Sequence, residues 1–133
     1  MKTAVGTALA AALIMLSVPA RAHHGTGTYD STKSVTLSGV VTEFAFINPH
    51  AALYFDVKDA SGKAVNWAIE MNSPGVLRAA GWTKTTFKAG DQITITVRPA
   101  KAGTPVGLIN RAQPILVNGK QVLAGDRTAN AIN

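Results

Sequence analysis

From Val35 onward the chain alternates between apolar and polar residues with a period of two, interrupted by turn signals. That is the pattern of strands with one buried face. The first stretch, VTLSGVVTEFAF, is rich in β-branched and aromatic residues. Val35 and Leu37 share one face, while Val40, Phe44 and Phe46 fall out of phase with them. Gly39 lies at the change of phase, where a β-bulge or a sharp barrel bend is expected. In LYFDVK, Leu53, Phe55 and Val57 point inward and Tyr54, Asp56 and Lys58 outward. Asp59-Ala60-Ser61-Gly62 then makes a turn, and AVNWAIE returns with Val65, Trp67 and Ile69 inward, so the three stretches read as a meander.

A helix interrupts the strands. Ser73 is an N-cap, Pro74 suits the first helical position and Gly81 suits the stop, with Val76, Leu77 and Ala80 available to cover one end of a barrel. After a glycine turn, ITITVRP places Ile93, Ile95 and Val97 on one face and ends at Pro99. The stretch VGLINRAQPILVNGKQVLA then reads as a last strand and a hairpin turning at Asn118-Gly119. Three strands, a short helix and two or more strands predict a mainly β fold: a small OB-like antiparallel barrel of about five strands, with one short helix between strands three and four. An open antiparallel sheet with one helix is the alternative.

The N-terminal pattern is different. Lys2 precedes an apolar run over residues 4–18, broken only by Thr7, Ser17 and glycine; Pro19 ends it, and Ala20-Arg21-Ala22 has the small-x-small form that signal peptidase reads. The run is shorter than the ~20 residues that span a bilayer. Residues 1–22 are therefore expected to be a cleaved signal peptide, residues 23–34 (HHGTGTYDSTKS) a flexible lead-in, and residues 35–133 the barrel domain. Removing 22 of the 133 residues leaves 111, enough for one small domain. The expected location is the periplasm or the exterior, with no stable membrane anchor after cleavage.

The signal would take Lys2 and Arg21 of the 13 basic residues and none of the seven acidic ones, so the remainder carries a net +4, scattered rather than clustered. With few aromatics and an exported location, this is no basis for a nucleic-acid partner. Cysteine is absent, which excludes disulfides, thiolate chemistry and lipoprotein anchoring.

The stretches VTLSGVVTEFAFINPH, LYFDV, WAIEMNSP, GW, KAGDQITI and GL, together with His23-His24, carry a resemblance to a known family. The chain resembles the small exported bacterial proteins grouped as DUF6152, and the likeness runs through nearly all of the chain after the signal. Its most specific element is the Phe-x-Asn-Pro-His pattern ending at His50. One departure is Gly25, where the family pattern would have serine. The resemblance implies an exported OB-like β domain and brings no established activity.

Function must then be read from the residues. The histidines are His23, His24 and His50. Cleavage after Ala22 would make His23 the first residue, offering its α-amine and a ring nitrogen to one metal ion. With His50 this gives three nitrogen donors in a T shape, ligation that suits Cu(II). His24 is a possible further ligand. Cleavage after Ala20 would instead put histidine third, so that the amine, two amides and an imidazole enclose Cu(II) or Ni(II) in a square plane. Met71 and Glu70 are weaker candidate ligands, and a methionine also serves as a core filler. Against all of these stands a bland possibility: a histidine pair at a loose terminus binds metal weakly in any protein, and His50 can simply hydrogen-bond in its loop.

No nucleophile elbow, no Ser-x-x-Lys pair and no marked carboxylate pair is present, so no catalytic residue is assigned. A copper oxidase or monooxygenase has little room in 111 residues. The leading expectation is a periplasmic protein that sequesters or delivers a copper ion, with a metal donor or acceptor protein as partner. The alternative is an OB-type binding module for an envelope oligosaccharide, peptide or protein, using exposed Tyr54 and Trp82 with Lys58, Lys63, Arg98 and Lys101.

Overall fold

The computed structural model describes residues 26–110 and 112–122. Its elements are a 3-10 turn at Thr26–Thr28, strands β1 (Val35–Ala45), β2 (Ala52–Lys58) and β3 (Ala64–Glu70), helix α1 (Pro74–Ala79), and strands β4 (Gln92–Pro99), β5 (Val106–Ile109), β6 (Ile115–Val117) and β7 (Lys120–Val122). Strands β1 to β5 close a ring in the order β1-β2-β3-β5-β4 and back to β1, so the barrel, and not the open sheet, is the fold. The expected antiparallel order holds at every junction of the ring but one. β5 lies parallel to β3, with Ala68 opposite Val106, because α1 and β4 intervene and bring the chain back in the direction of β3.

The ring closes through β1, whose residues 35–40 pair with β4 and whose residues 40–45 pair with β2. Gly39 sits at the hand-over. A Cβ there would overlap the Asp56 carbonyl oxygen, so only glycine lets the two strands approach this closely. The register irregularity lies between Val41 and Glu43, slightly beyond the expected place. Before the shift the period of two runs unbroken, so Leu37 and Val41 are buried and Val40 is 37% exposed; the shift changes the phase after Val41, and Phe44 and Phe46 pack against the core. The β6-β7 hairpin extends the sheet from β4. It turns through Asn118 and Gly119, both at positive φ, as a two-residue type I′ turn requires.

Alternation fills the interior as the sequence suggests. Leu53, Phe55, Ile69, Ile93, Ile95 and Val97 are buried, and no polar or charged residue is buried among the described residues. α1 closes one end. The Ser73 hydroxyl accepts from the Val76 N–H at 3.4 Å, and Pro74 opens the helix. At its other end, the Trp82 N–H reaches the Leu77 carbonyl, the Gly81 N–H reaches the Arg78 carbonyl, and Gly81 has φ +91°. This Schellman arrangement reverses the chain and drives the residue after glycine inward. Trp82 is accordingly buried at 1% exposure, edge-on to Phe87, which corrects the expectation of an exposed tryptophan. Leu77 and Ala80 cover the barrel as expected, but Val76 faces outward.

Candidate functional site

His50 is the last residue but one before β2, and Glu70 is the last residue of β3. The β2-β3 pairing sets Ala52 opposite Glu70. Just beyond the ladder, the Ala51 N–H donates to the Asn72 carbonyl and the Met71 N–H donates to the Ala51 carbonyl. These backbone bonds bring the loop carrying His50 against the end of β3. His50 Nδ1 lies 2.9 Å from Glu70 Oε1. A carboxylate only accepts, so the imidazole donates through Nδ1–H.

A third residue joins from the lead-in. The Tyr29 hydroxyl donates to Glu70 Oε2 at 2.7 Å. Tyr29 is only 6% exposed and forms a β-bridge with Ala100, just after β4. The Asp30 N–H donates to the Pro99 carbonyl, and the Lys101 N–H donates to the Thr28 carbonyl. The described part of the lead-in is thus tied to the barrel, not loose. Burial, then the hydrogen bond to Glu70 and its negative charge, push the Tyr29 phenol well above its ordinary pKa. Glu70 accordingly holds a buried phenol with one oxygen and a half-exposed imidazole with the other.

Of the residues named from the sequence, His50 and Glu70 therefore meet. His23 and His24 lie outside the described residues. Met71 is 1% exposed and packs within the apolar core, the gap-filling role of the residue type. Among the described residues no three histidine, aspartate or glutamate side chains converge as a metal site. Tyr29 is the residue sequence reasoning missed. It stands in a polar stretch without periodicity, and its link to Glu70 spans 41 residues of chain.

The model of a family of unknown function, DUF6152, matches residues 10–111. The chain belongs to the DUF6152 family. No curated protein matches it. In this DUF6152 protein the Phe-x-Asn-Pro-His stretch leads straight into the corner just described: Phe46 lies beneath the Arg78 guanidinium at 5.2 Å, and His50 reaches Glu70.

Proposed function

We propose that this DUF6152 protein is an exported copper-binding protein that sequesters or delivers the ion. His23, as the first residue after signal cleavage, would supply its amine and imidazole, and His50 the opposing imidazole. His24 would stand by as a further ligand. The observation that supports this reading most is the contact of His50 Nδ1 with the Glu70 carboxylate at 2.9 Å. Histidine ligands characteristically donate their second nitrogen to a carboxylate, which orients the ring and raises its basicity. Glu70 would then serve His50 instead of the metal, and Met71 would remain part of the core.

Reach also favours the reading. Tyr29 shares Glu70 with His50, and His23 stands six residues before Tyr29. Six residues of extended backbone cover at most about 20 Å, so a segment anchored at Tyr29 can return to His50. The partner would be a protein that donates or accepts the ion in the same compartment.

The test is a Cu(II) competition titration of the exported protein, its N-terminus verified by intact mass, beside His50→Ala and a variant with Gly-Ser inserted before His23. Sub-nanomolar binding that weakens at least about a hundredfold in His50→Ala, a loss of about 2.8 kcal/mol, and that disappears with the insertion is the expected result. Equal affinity in wild type and His50→Ala would leave only a chelate made by the terminal peptide, and the proposal would fail.

A further inference from the structure

The outer surface of the barrel carries a second feature, away from the His50 corner. Where β1 passes from β4 to β2, a groove of about 460 Å³ opens over Gly39, edged by Ser38, Val40, Asp56, Lys58 and Gln92. Its shape follows from Gly39: the missing side chain leaves the floor low, and any Cβ there would meet the β2 backbone. Most of the exposed wall is apolar, contributed in part by Val40 and Ala64, and the polar ends of Ser38, Asp56, Lys58 and Gln92 are set along it. Val40 adds an apolar edge that is 37% exposed.

Two of the polar groups, the Asp56 carboxylate and the Ser38 hydroxyl, are held in place by neighbouring side chains. The Asn66 amide donates to Asp56 Oδ1 at 2.8 Å and to the Thr42 hydroxyl at 3.1 Å. Along β1 and β4 the hydroxyls of Ser38 and Thr94 lie 2.9 Å apart, as do those of Thr36 and Thr96, so a row of paired hydroxyls continues the groove lengthwise. A paired hydroxyl keeps further accepting capacity.

We propose that this groove binds an uncharged saccharide chain. One carboxylate and one ammonium line it together, so its net charge is near zero and neither a polyanion nor a polycation is favoured. The bonded Asp56 carboxylate and Ser38 hydroxyl, with the Lys58 and Gln92 side chains, match the donors and acceptors of sugar hydroxyls, while the apolar wall at Val40 and Ala64 matches the apolar faces of sugar rings. The volume lies within the range of small-ligand clefts. The site shares no residue with the proposed copper site, so the two proposals stand or fall separately.

The experiment is an NMR titration of the ¹⁵N-labelled protein with neutral hexasaccharides (cello-, malto- and chitohexaose) and, for contrast, an acidic oligogalacturonate. The expected result is a set of amide shifts confined to residues 38–40, 56–58, 64 and 92, with a Kd of about 1 mM or tighter for at least one neutral chain. Gln92→Ala and Lys58→Ala, both at exposed positions, should each weaken it several-fold, and Asp56→Ala at least tenfold; His50→Ala should leave it unchanged. Unaltered melting temperatures of the two exposed variants separate lost binding from lost folding. No shift with any neutral chain, shifts with the acidic chain alone, or binding that persists undiminished in all three groove variants would overturn the proposal.

Discussion

Ile69 and Glu70 are neighbours at the end of β3 and belong to two different regions. Ile69 is fully buried with Leu53, Phe55 and Ile95, in an interior that holds no polar residue among those described. Glu70 is turned the other way, with 30% of its side chain exposed, and joins Tyr29 to His50. In the interior each contact is weak, non-directional and replaceable by another apolar group of similar shape. At the corner a few directional bonds select particular atoms, and a change of one atom matters more than a change of volume. Stability should therefore reside mainly in the first region and chemistry in the second.

The largest effect should come from emptying the interior. Phe55→Ala or Leu77→Ala should cost about 3–5 kcal/mol of folding stability, seen as an earlier urea midpoint with an unchanged slope. Affinity for Cu(II) of the remaining folded protein should hold. If these variants abolish metal binding while the protein stays folded, the two regions are not separable.

Gly39→Ala tests the seam between them. The new Cβ would clash with the Asp56 carbonyl, which is backbone and cannot swing away. A loss of about 1–3 kcal/mol is expected, with NMR shifts spreading along β1 and β2. A neutral substitution would show that the strands are not held as closely as the structure indicates.

At the corner, Tyr29→Phe removes one hydrogen bond and should cost about 1 kcal/mol near neutral pH. Its pH dependence is more telling. The native phenol pKa is raised, so the Tyr29 contribution is fully present below the phenol's ordinary value of 10.0. Above that value the unfolded chain releases the proton first, and stability falls as pH rises toward the raised native value. Tyr29→Phe should flatten this alkaline loss in equilibrium unfolding measured from pH 8 upward. The same alkaline slope in wild type and variant would sever the phenol from the corner.

The smallest effect concerns Asp91, on the rim near the β6-β7 turn. The side chain of Asn118 and the Lys88 N–H hold its carboxyl below the ordinary value of 3.8. A lowered native pKa gives stability that is present above the unfolded value and lost as pH falls through the native one. Asp91→Ala should slightly lower the melting temperature at neutral pH and remove part of the acid dependence below about pH 4. A variant whose melting curve matches wild type at every pH would assign that dependence elsewhere.

Short-range chemistry made much of this molecule legible in the sequence. The period-two pattern identified the faces of β2 and β4, Ser73-Pro74 and Gly81 identified both ends of α1, and Asn118-Gly119 identified the hairpin. Each depends on residues within a few positions of one another. The order of strands and helix was enough for a small OB-like barrel, since few closed arrangements of so few elements exist. His50 was legible as a candidate because the chain has so few histidines.

The rest depended on contacts between distant segments. The parallel β3-β5 pairing has no local signal, because its partners acquire a common direction only after α1 and β4 have been placed. Trp82 turns inward because of the Schellman reversal and the Phe87 ring, and a bulky aromatic beside a glycine reads equally well as exposed. The bulge beyond Val41 is set by how β1 serves two partner strands, so it does not fall where Gly39 suggested. Tyr29 gave no hint at all: its hydroxyl acquires meaning only when the lead-in crosses Ala100 and finds the carboxylate at the end of β3. Local propensity determines which elements form and which faces are apolar, whereas the meeting of Tyr29, Glu70 and His50 is a matter of closure, decided only when the barrel brings three separated segments to one corner.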